Sequence, residues 1–338
     1  MHYFATVFDN GFLNRALALY HSVAERSLLP YEWWMICMDD EAYEILEKLA
    51  LPHVVLVRRD EFEDETLKNV QKTRSQAEYF WTLSAVSTHY VLSKNPQAET
   101  VAYLDADLFF YASIDPIFEA FNGHSILIIP HHFFGRDAVA AEEKFGTYNV
   151  GLLLFRNDAD GRACLAWWKE RCIEWCYDRA EPTRYGDQKY LNYFDKICNG
   201  VYVLPWRGAN AGRWNIGAYQ GAISMKNGNV YLGEDLLYFF HFSQFKLYYP
   251  RSSWLPSGPP SFPWGRPSPY TMPSPEKRFI YDLYREALYA AVREVETVCP
   301  GFEHGVFPRP FFLTALLAQG IQYMKYFRER KEKEPLVG

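Results

Sequence analysis

The strongest constraint on the fold is the alternation of strand-like and helix-like segments along the first hundred residues. Short runs rich in β-branched and aromatic residues, at 3–8, 33–38, 53–57 and 100–104, are separated by helical apolar spacing at 13–23, 41–50 and 75–92. Alternation of this kind predicts βαβ units, a mainly parallel central sheet and therefore an α/β fold. Further strands are predicted at 125–129, 150–155, 201–204 and 237–242, and further helices at 161–177 and 187–194.

The composition changes after residue 250. Residues 251–275 are rich in proline, with serine and glycine among them, and such a segment neither pairs as a central strand nor continues a helix. Helical spacing returns at 276–298 and again at 311–330. We therefore predict a catalytic-size domain at 1–250, a proline-rich linker at 251–275 and a helical C-terminal extension at 276–338.

Composition and charge exclude several classes of protein. Hydrophobic residues make up 49% and charged residues 22%, which excludes a disordered or collagenous chain. A net charge of −6 argues against nucleic-acid binding by the chain as a whole. No apolar run reaches the roughly 18 residues of a membrane span, and a strand-like segment begins at His2, leaving no room for a signal peptide. These features predict a cytoplasmic protein, whose six cysteines form no CxxC pair and are expected to be reduced thiols.

The sharpest local feature is Asp105-Ala106-Asp107, which directly follows the buried strand predicted at 100–104. Ligands of α/β sheets collect outside the carboxyl ends of the strands, where two carboxylates one residue apart can hold a divalent cation. Many Asp-x-Asp sequences only cap a turn. The apolar run before this one and the aromatic run after it favour the metal site.

His241 ends the apolar run at 237–242, and Lys246 lies five residues later. A histidine among aromatic residues is more often a core residue than a ligand, but this one ends a strand late in the same domain. An imidazole joined to two carboxylates makes a mixed nitrogen and oxygen site, which favours Mn²⁺ over Mg²⁺ or Ca²⁺. Lys246 could then meet a phosphate as a point charge.

Five motifs in this order resemble the GT-A-fold glycosyltransferases, nearest to family 8 and its bacterial relatives. They are the strand–helix start with Thr6, Phe8 and Asp9, then Asp105-Ala106-Asp107, Asn149-Val150-Gly151, Tyr185-Gly186-Asp187-Gln188, and the segment from His241 to Lys246. The resemblance covers residues 1–250. It implies a GT-A, Rossmann-like fold, a nucleotide-sugar donor that is most often a UDP-sugar, and a bound Mn²⁺ or Mg²⁺.

The resemblance also implies site roles, position by position. The base and ribose would be contacted by Thr6, Phe8 and Asp9, and Arg74 would also reach the donor. The metal would be held on the diphosphate by Asp105, Asp107 and His241, while Lys246 would neutralise a phosphate oxygen. The transferred sugar would be faced by Asn149, Asp187 and Gln188. For Arg74, a solvent-exposed arginine at a helix start is the alternative. Family 8 members commonly show His-x-x-Gly-x-x-Lys-Pro-Trp, whereas this chain lacks both the glycine and the Pro-Trp.

The stereochemical outcome stays open at this point. If the enzyme inverts the anomeric centre, Asp187 is the candidate base; if it retains configuration, as family 8 does, the leaving phosphate takes the proton and Gln188 lies beneath the sugar. Asp187 could instead be a helix N-cap after Gly186.

Two other functions were weighed. Nucleotidyltransferases that make sugar nucleotides need a glycine-rich, basic phosphate loop after the first strand, which residues 9–12 do not supply. A non-catalytic sugar-binding protein fits the 18% aromatic content, but it leaves the two aspartates and His241 without a purpose.

The acceptor is expected to be a hydroxyl of a glycan or glycolipid, as in surface polysaccharide assembly. Residues 131–148 are interpreted as a loop near the acceptor, and 206–214 as either a loop over the sugar or a surface loop pinned by its tryptophans. The C-terminal apolar stripe, with its basic end, allows peripheral contact with the inner face of the cell membrane. Packing on the catalytic domain or on a second copy is the favoured alternative.

Overall fold

The computed structural model describes residues 1–219, 221–248 and 277–307. Its strands are β1 (His2–Phe8), β2 (Tyr31–Cys37), β3 (Val54–Arg58), β4 (Thr100–Leu104), β5 (Leu108–Phe110), β6 (Ile126–Pro130), β7 (Tyr148–Arg156), β8 (Val201–Val203), β9 (Ala209–Gly212), β10 (Ile223–Lys226), β11 (Asn229–Leu232), β12 (Asp235–Leu236), β13 (Phe239–His241), β14 (Leu247–Tyr248) and β15 (Val306–Phe307). Its helices are α1 (Leu13–Ala24), α2 (Asp40–Leu49), α3 (Arg59–Phe62), α4 (Glu65–Gln71), α5 (Gln76–Lys94), α6 (Asp115–Phe121), α7 (Ala138–Phe145), α8 (Ala159–Glu174), α9 (Phe194–Ile197) and α10 (Lys277–Val298).

A seven-stranded sheet in the order β3-β2-β1-β4-β7-β6-β8 organises the molecule. Strands β1 to β4 are mutually parallel, β7 runs antiparallel to both β4 and β6, and β6 is parallel to β8. The prediction of an α/β fold with a mainly parallel central sheet is therefore confirmed. The strands and helices predicted before residue 105 are all present.

Both faces of this sheet are covered, because successive side chains of a strand point to opposite sides. In β1, Phe4 and Phe8 pack with α1 and α2 on one face, whereas Tyr3 and Val7 pack with α5 and α8 on the other. Helix α5 begins at a capping box in which Glu78 accepts the Ser75 backbone N–H. This helix leads the chain into β4, at whose end the Asp-x-Asp motif lies.

A second, three-stranded sheet in the order β5-β13-β9 packs beside the first. Strand β13 is antiparallel to β5 and parallel to β9, and His241 is paired with Leu108 on one side and with Gly212 on the other. The segment 206–214, interpreted above as a loop, therefore contains a buried edge strand of this sheet, and that interpretation is wrong for residues 209–212. Its small residues fit because the neighbouring backbones approach closely: a Cβ on Gly208 would lie 1.8 Å from the Leu236 carbonyl oxygen.

Helix α10 confirms the helical spacing seen at 276–298 and docks on α1 and on the three-stranded sheet. The Tyr111 hydroxyl donates to the Ile280 carbonyl at 2.6 Å, and the Tyr284 ring stacks on Phe242 with centroids 3.7 Å apart. Strand β15 then pairs with β14. The proline-rich linker at 251–275 and the second helical pattern at 311–330 lie outside the described residues, and the division into domains stays a prediction.

Two local predictions were wrong. Residues 187–194 do not form one helix; a 3₁₀ turn at Lys189–Tyr193 leads into α9. The buried Lys189 ammonium there donates to the carbonyls of Glu143 and Glu181, contacts that fix an irregular backbone. The segment 131–148 is not a continuous loop, because its alanine- and glutamate-rich part forms α7.

All six cysteines are free thiols, as the spacing predicted. Among the described helices, none combines the length and the apolar character that crossing a membrane would take.

Candidate active site

Asp105, Asp107 and His241 converge where the two sheets meet. The His241 Nε2 atom lies 3.1 Å from Asp107 Oδ1 and 3.6 Å from Asp105 Oδ2, and one ligand atom from each residue falls within 4.8 Å of the others. The side chains are 8%, 15% and 29% exposed for His241, Asp107 and Asp105, so the cluster is sheltered yet open on one side.

Backbone hydrogen bonds from both sheets hold the two aspartates in place. The Asp105 N–H donates to the Gly151 carbonyl of β7, and the Phe242 N–H after β13 donates to the Asp107 carbonyl, both at 2.9 Å. The Tyr103 hydroxyl, two residues earlier on β4, donates to Asp105 Oδ1 at 2.7 Å. The carboxylates are therefore presented by a turn that is fixed at each end.

Asn149 orients the His241 ring. Its Oδ1 accepts the Gly151 N–H at 3.0 Å, which assigns the amide orientation, and the same oxygen lies 3.1 Å from His241 Nδ1. Its Nδ2 faces His131 Nε2 at 3.2 Å. His241 Nδ1 must therefore carry the proton that Asn149 accepts, and Nε2 points at the carboxylates.

This arrangement fits a divalent cation. In the neutral ring, a lone pair on Nε2 would face carboxylate oxygens, an unfavourable contact unless a proton or a cation lies between them. A histidine fixed through its other nitrogen beside two carboxylates is the usual arrangement of a metal ligand, and the mixed donor set suits Mn²⁺.

Without a bound cation, the pKa values of Asp105, Asp107 and His241 are shifted in different directions by burial and by one another. Burial raises the pKa of Asp105, assisted by the Asp107 charge. Burial also acts to raise the pKa of Asp107, but the charge and hydrogen bond of His241 outweigh it, so that this pKa lies below the usual value. Burial lowers and the two aspartates raise the pKa of His241, with a net increase. Protonation of His241 would supply positive charge between the two carboxylates when no cation is bound.

Asp187 lies within electrostatic reach of Asp105. Its side chain is buried, and burial together with the negative charge of Asp105 raises its pKa to about 8. The Trp168 indole N–H donates to the Asp187 carbonyl at 2.9 Å, which fixes the backbone. The Gln188 amide, next in sequence, donates to the Phe145 carbonyl at the end of α7.

The residues predicted from β1 divide into two groups. Asp9 follows β1 at its carboxyl end, and its carboxylate accepts the Gln76 amide at 2.7 Å. Thr6 and Phe8 face the core instead: the Thr6 hydroxyl accepts the Trp33 indole N–H, and Phe8 is 1% exposed. Of the three side chains, only that of Asp9 reaches the surface at the carboxyl ends of the strands.

Arg74 and Lys246 make their observed contacts away from the metal-ligand cluster. The Arg74 guanidinium donates to the carbonyls of Ile173 and Cys176 after the last turns of α8 and lies 4.4 Å from the Tyr177 ring centroid. It is thus neither a free surface group nor a contact of the aspartates. The exposed Lys246 places its ammonium 5.2 Å from the Phe307 ring centroid.

Sequence reasoning assigned no role at the site to four further side chains. Arg15 is 4% exposed, donates to the Phe245 carbonyl at 2.9 Å, and its charge acts to lower the pKa of Asp107. Trp214 packs edge-on against His241 with centroids 5.3 Å apart, and Arg213 precedes it. Tyr103 could have been found from its i, i+2 spacing to Asp105, whereas no local signal marks Arg15.

The chain is an α/β protein with a mainly parallel sheet, in which two aspartates at a strand end meet a histidine from a distant part of the sequence. No family model matches the chain. Among curated proteins of Bacillus subtilis (strain 168), the uncharacterized protein YfnF is 32% identical over 305 residues, covering 88% of this chain and 95% of YfnF. The uncharacterized protein YfnD is 32% identical over 247 residues, covering 72% and 78%. The chain therefore belongs to the family of YfnF and YfnD.

Several solved glycosyltransferases align with the chain at low identity. The galactosyltransferase LgtC, in complex with donor and acceptor sugar analogs, gives a TM-score of 0.48 at 13% identity and covers 86% of this chain and 96% of its own. Mouse xyloside xylosyltransferase 1 gives 0.45 at 15%, covering 72% and 98%. GlyE of Streptococcus pneumoniae TIGR4 gives 0.46 at 13%, covering 88% and 63%. At these scores and identities the alignments establish no activity for this chain.

Proposed function

We propose that this protein is a metal-dependent glycosyltransferase of the GT-A type, which moves a sugar from a nucleotide-sugar donor, a UDP-sugar, to a hydroxyl of a glycan or glycolipid. One observation carries the proposal: Asp105, Asp107 and His241 meet within 4.8 Å, while Asn149 fixes the histidine ring from behind. A sugar-binding protein would need no such cluster.

In this proposal Asp105, Asp107 and His241 hold Mn²⁺ against the donor diphosphate. A divalent cation bound there supplies positive charge where the leaving diphosphate becomes more negative. The chain contributes preorganisation: the Asp105–Leu108 turn is fixed by hydrogen bonds from β7 and β13, so the ligand oxygens need little rearrangement. Asp9, at the neighbouring strand end, would meet the ribose.

Asp187 is the proposed proton acceptor if the anomeric centre inverts. Burial and Asp105 raise its pKa to about 8, which matches it to a hydroxyl that must lose a proton near neutral pH. If configuration is retained, the leaving phosphate accepts that proton and Gln188 lies beneath the sugar. The anomeric configuration of the product, read by NMR, separates the two routes.

Peripheral membrane contact, self-association and a cytoplasmic location stay predictions from the sequence. The first depends mainly on residues after 310, which lie outside the described part of the chain. Liposome co-sedimentation with and without residues 310–338 addresses it.

The proposal is tested by isothermal titration of UDP with and without Mn²⁺, followed by a screen of UDP-sugars for hydrolysis. We expect measurable UDP affinity that depends on Mn²⁺. Asp107→Ala should abolish both binding and turnover while the melting temperature stays near the wild-type value. Asp235→Ala removes an exposed carboxylate of a hairpin and serves as the matched control. Metal-independent nucleotide binding, or full turnover by Asp107→Ala in Mn²⁺, would contradict the proposal.

A further inference from the structure

We propose that Arg213, held by Gln244, is the side chain that neutralises the donor diphosphate, in place of Lys246. This inference rests on the proposed function and deepens it, because it assigns the phosphate-binding cation to a residue outside the motifs that the sequence resemblance matched.

The three-stranded sheet brings Arg213 to the metal-ligand cluster. In its register His241 is paired with Leu108 of β5 and with Gly212 of β9. Asp107 immediately precedes β5, and Arg213 immediately follows β9. Because β9 is parallel to β13, residue 213 leaves the sheet at the same end as His241, so Asp107, His241 and Arg213 start from adjacent positions.

The turn that carries Arg213 is fixed. The Asn215 side chain, 1% exposed, accepts the Gly212 N–H at 2.9 Å and donates to the His131 and Asn210 carbonyls. A Cβ on Gly212 would lie 2.7 Å from the Trp214 ring, so glycine allows that indole to pack against the backbone. A charged group on a rigid turn loses little conformational entropy when it binds, which suits electrostatic catalysis.

The Arg213 guanidinium is partly buried and has bonding capacity left. Its Nη1 donates to Gln244 Oε1 at 2.8 Å, and its charge opposes protonation of His241, which places it within electrostatic reach of the cluster. A guanidinium has five N–H donors in a planar fork. The bond to Gln244 uses one of these donors. Within the described residues the other donors are available, and they can bind a phosphate bidentately.

Gln244, the partner of Arg213, marks a difference between this chain and the motif that it resembles. It occupies the position where the resembled motif has glycine, and it adopts a left-handed backbone with φ of +63°. A non-glycine residue in this left-handed region is conformationally unfavourable. The hydrogen bond to Arg213 is a functional reason for a non-glycine residue at this unfavourable backbone position.

Other basic groups near the site are engaged elsewhere. Arg15 donates to the carbonyls of Gly11 and Phe245, and the Lys246 ammonium lies over the Phe307 ring. The carboxylates of Asp105 and Asp107 together already balance the charge of one divalent cation. A diphosphate arriving beside them needs a further positive group, and Arg213 is the one aligned with His241.

The test is isothermal titration of UDP, and of inorganic pyrophosphate, in the presence of Mn²⁺. Arg213→Met should weaken both about 10- to 100-fold, since a charge-assisted bond to phosphate is lost. Arg213→Lys, which keeps the charge but not the fork, should lose less. Arg207→Met removes an exposed arginine from the same segment and should bind like the wild type. Lys246→Met should change affinity less than about threefold.

The outcomes separate the two proposals. If Arg213→Met binds UDP and pyrophosphate as tightly as the wild type, or if Lys246→Met shows the large loss instead, this inference is overturned and the glycosyltransferase proposal stands. If the wild type itself binds neither probe in Mn²⁺, the proposed function fails first. Should Arg213→Met not fold, the graded loss expected for Arg213→Lys still decides the matter.

Discussion

The seven-stranded and the three-stranded sheets differ in how they are assembled. The large sheet is built mostly from consecutive strand–helix units, and its central strands β1 and β4 are buried on both faces. The small sheet joins β5, β9 and β13, three short segments from distant parts of the chain, and α10 covers part of it. The candidate site lies at the junction, with Asp105 ending a strand of the large sheet and His241 ending a strand of the small one.

This difference assigns separate tasks to the two sheets. The large sheet provides rigid strand ends that present the partly buried carboxylates. The small sheet sets the distance of the histidine from them, and Asn149 on β7 connects the two through His241. In the proposed function, metal and UDP binding therefore depend on the relative position of the two sheets. Changes at the junction should affect this binding more than changes within either sheet.

Among changes that leave Asp105, Asp107 and His241 in place, the largest expected effect comes from replacing Asn149 at the junction. Asn149→Leu removes the oxygen that holds His241 Nδ1, so Mn²⁺-dependent UDP affinity should fall about 10- to 100-fold. Asn149→Asp keeps an acceptor oxygen and should retain most of the affinity. Calorimetric titration of both variants checks this, and equal losses in the two would show that the acceptor oxygen is not what positions the ring.

An intermediate effect is expected from matched changes of two glycines, one packed beside each sheet. A Cβ on Gly208 would lie 1.8 Å from the Leu236 carbonyl oxygen, and one on Gly161 would lie 2.1 Å from the Arg156 carbonyl oxygen. Both alanine variants should lower the free energy of unfolding by about 1–3 kcal/mol through overpacking. Only Gly208→Ala, beside β13, should also weaken Mn²⁺-dependent UDP binding.

Urea unfolding and UDP titration of the two glycine variants measure these quantities side by side. A loss of UDP affinity in Gly161→Ala as large as that in Gly208→Ala would mean that the small sheet has no special role in placing His241.

The smallest effect concerns the helix that covers the small sheet. His21 on α1 contacts Glu294 on α10 at 2.7 Å, and this hydrogen bond raises the pKa of His21 above its ordinary value of 6.5. A raised folded-state pKa means that the contact stabilises docking below pH 6.5 and that this contribution is lost as pH rises through the folded pKa. The effect should be small, because the side chains are 40% and 29% exposed.

Hydrogen exchange of α10 amides, corrected for intrinsic rates, should therefore show faster opening at pH 8 than at pH 6. His21→Gln should remove most of that difference. A pH dependence that persists in His21→Gln would assign it to another group.

The predictable part of the molecule is the part with local signals. Residues 1–104 carry strand and helix periodicities that need no partner to be recognised, and Asp105-Ala106-Asp107 is marked by the buried strand before it. In the small sheet, β13 was predicted from the apolar run at 237–242, whereas β5 and β9 carry no such signal. Its strands are three or four residues long, and their partners are fixed by register, as when Phe240 pairs with Phe109. Strand 209–212 was accordingly interpreted as a loop.

Side-chain roles were harder to predict than positions. Thr6 and Phe8 share the parity of Phe4, so alternation along β1 could have assigned them to the core. Asn149 was expected to face the sugar, but its amide is bonded to His241 and Gly151, a role set by the pairing of β7 with β4. Arg74 supports the end of α8 through long-range contacts that no spacing rule anticipates.

The separation between Asn149 and His241, 92 residues along the chain, has a consequence for biosynthesis. The carboxylates leave the ribosome well before the imidazole that completes their ligand set. In the proposed function, cation binding therefore follows the folding of the strands translated first and does not guide it. A chain interrupted ahead of the β13 segment would carry the acidic pair without the nitrogen ligand, and only a translation product that extends past His241 contains all three candidate ligands.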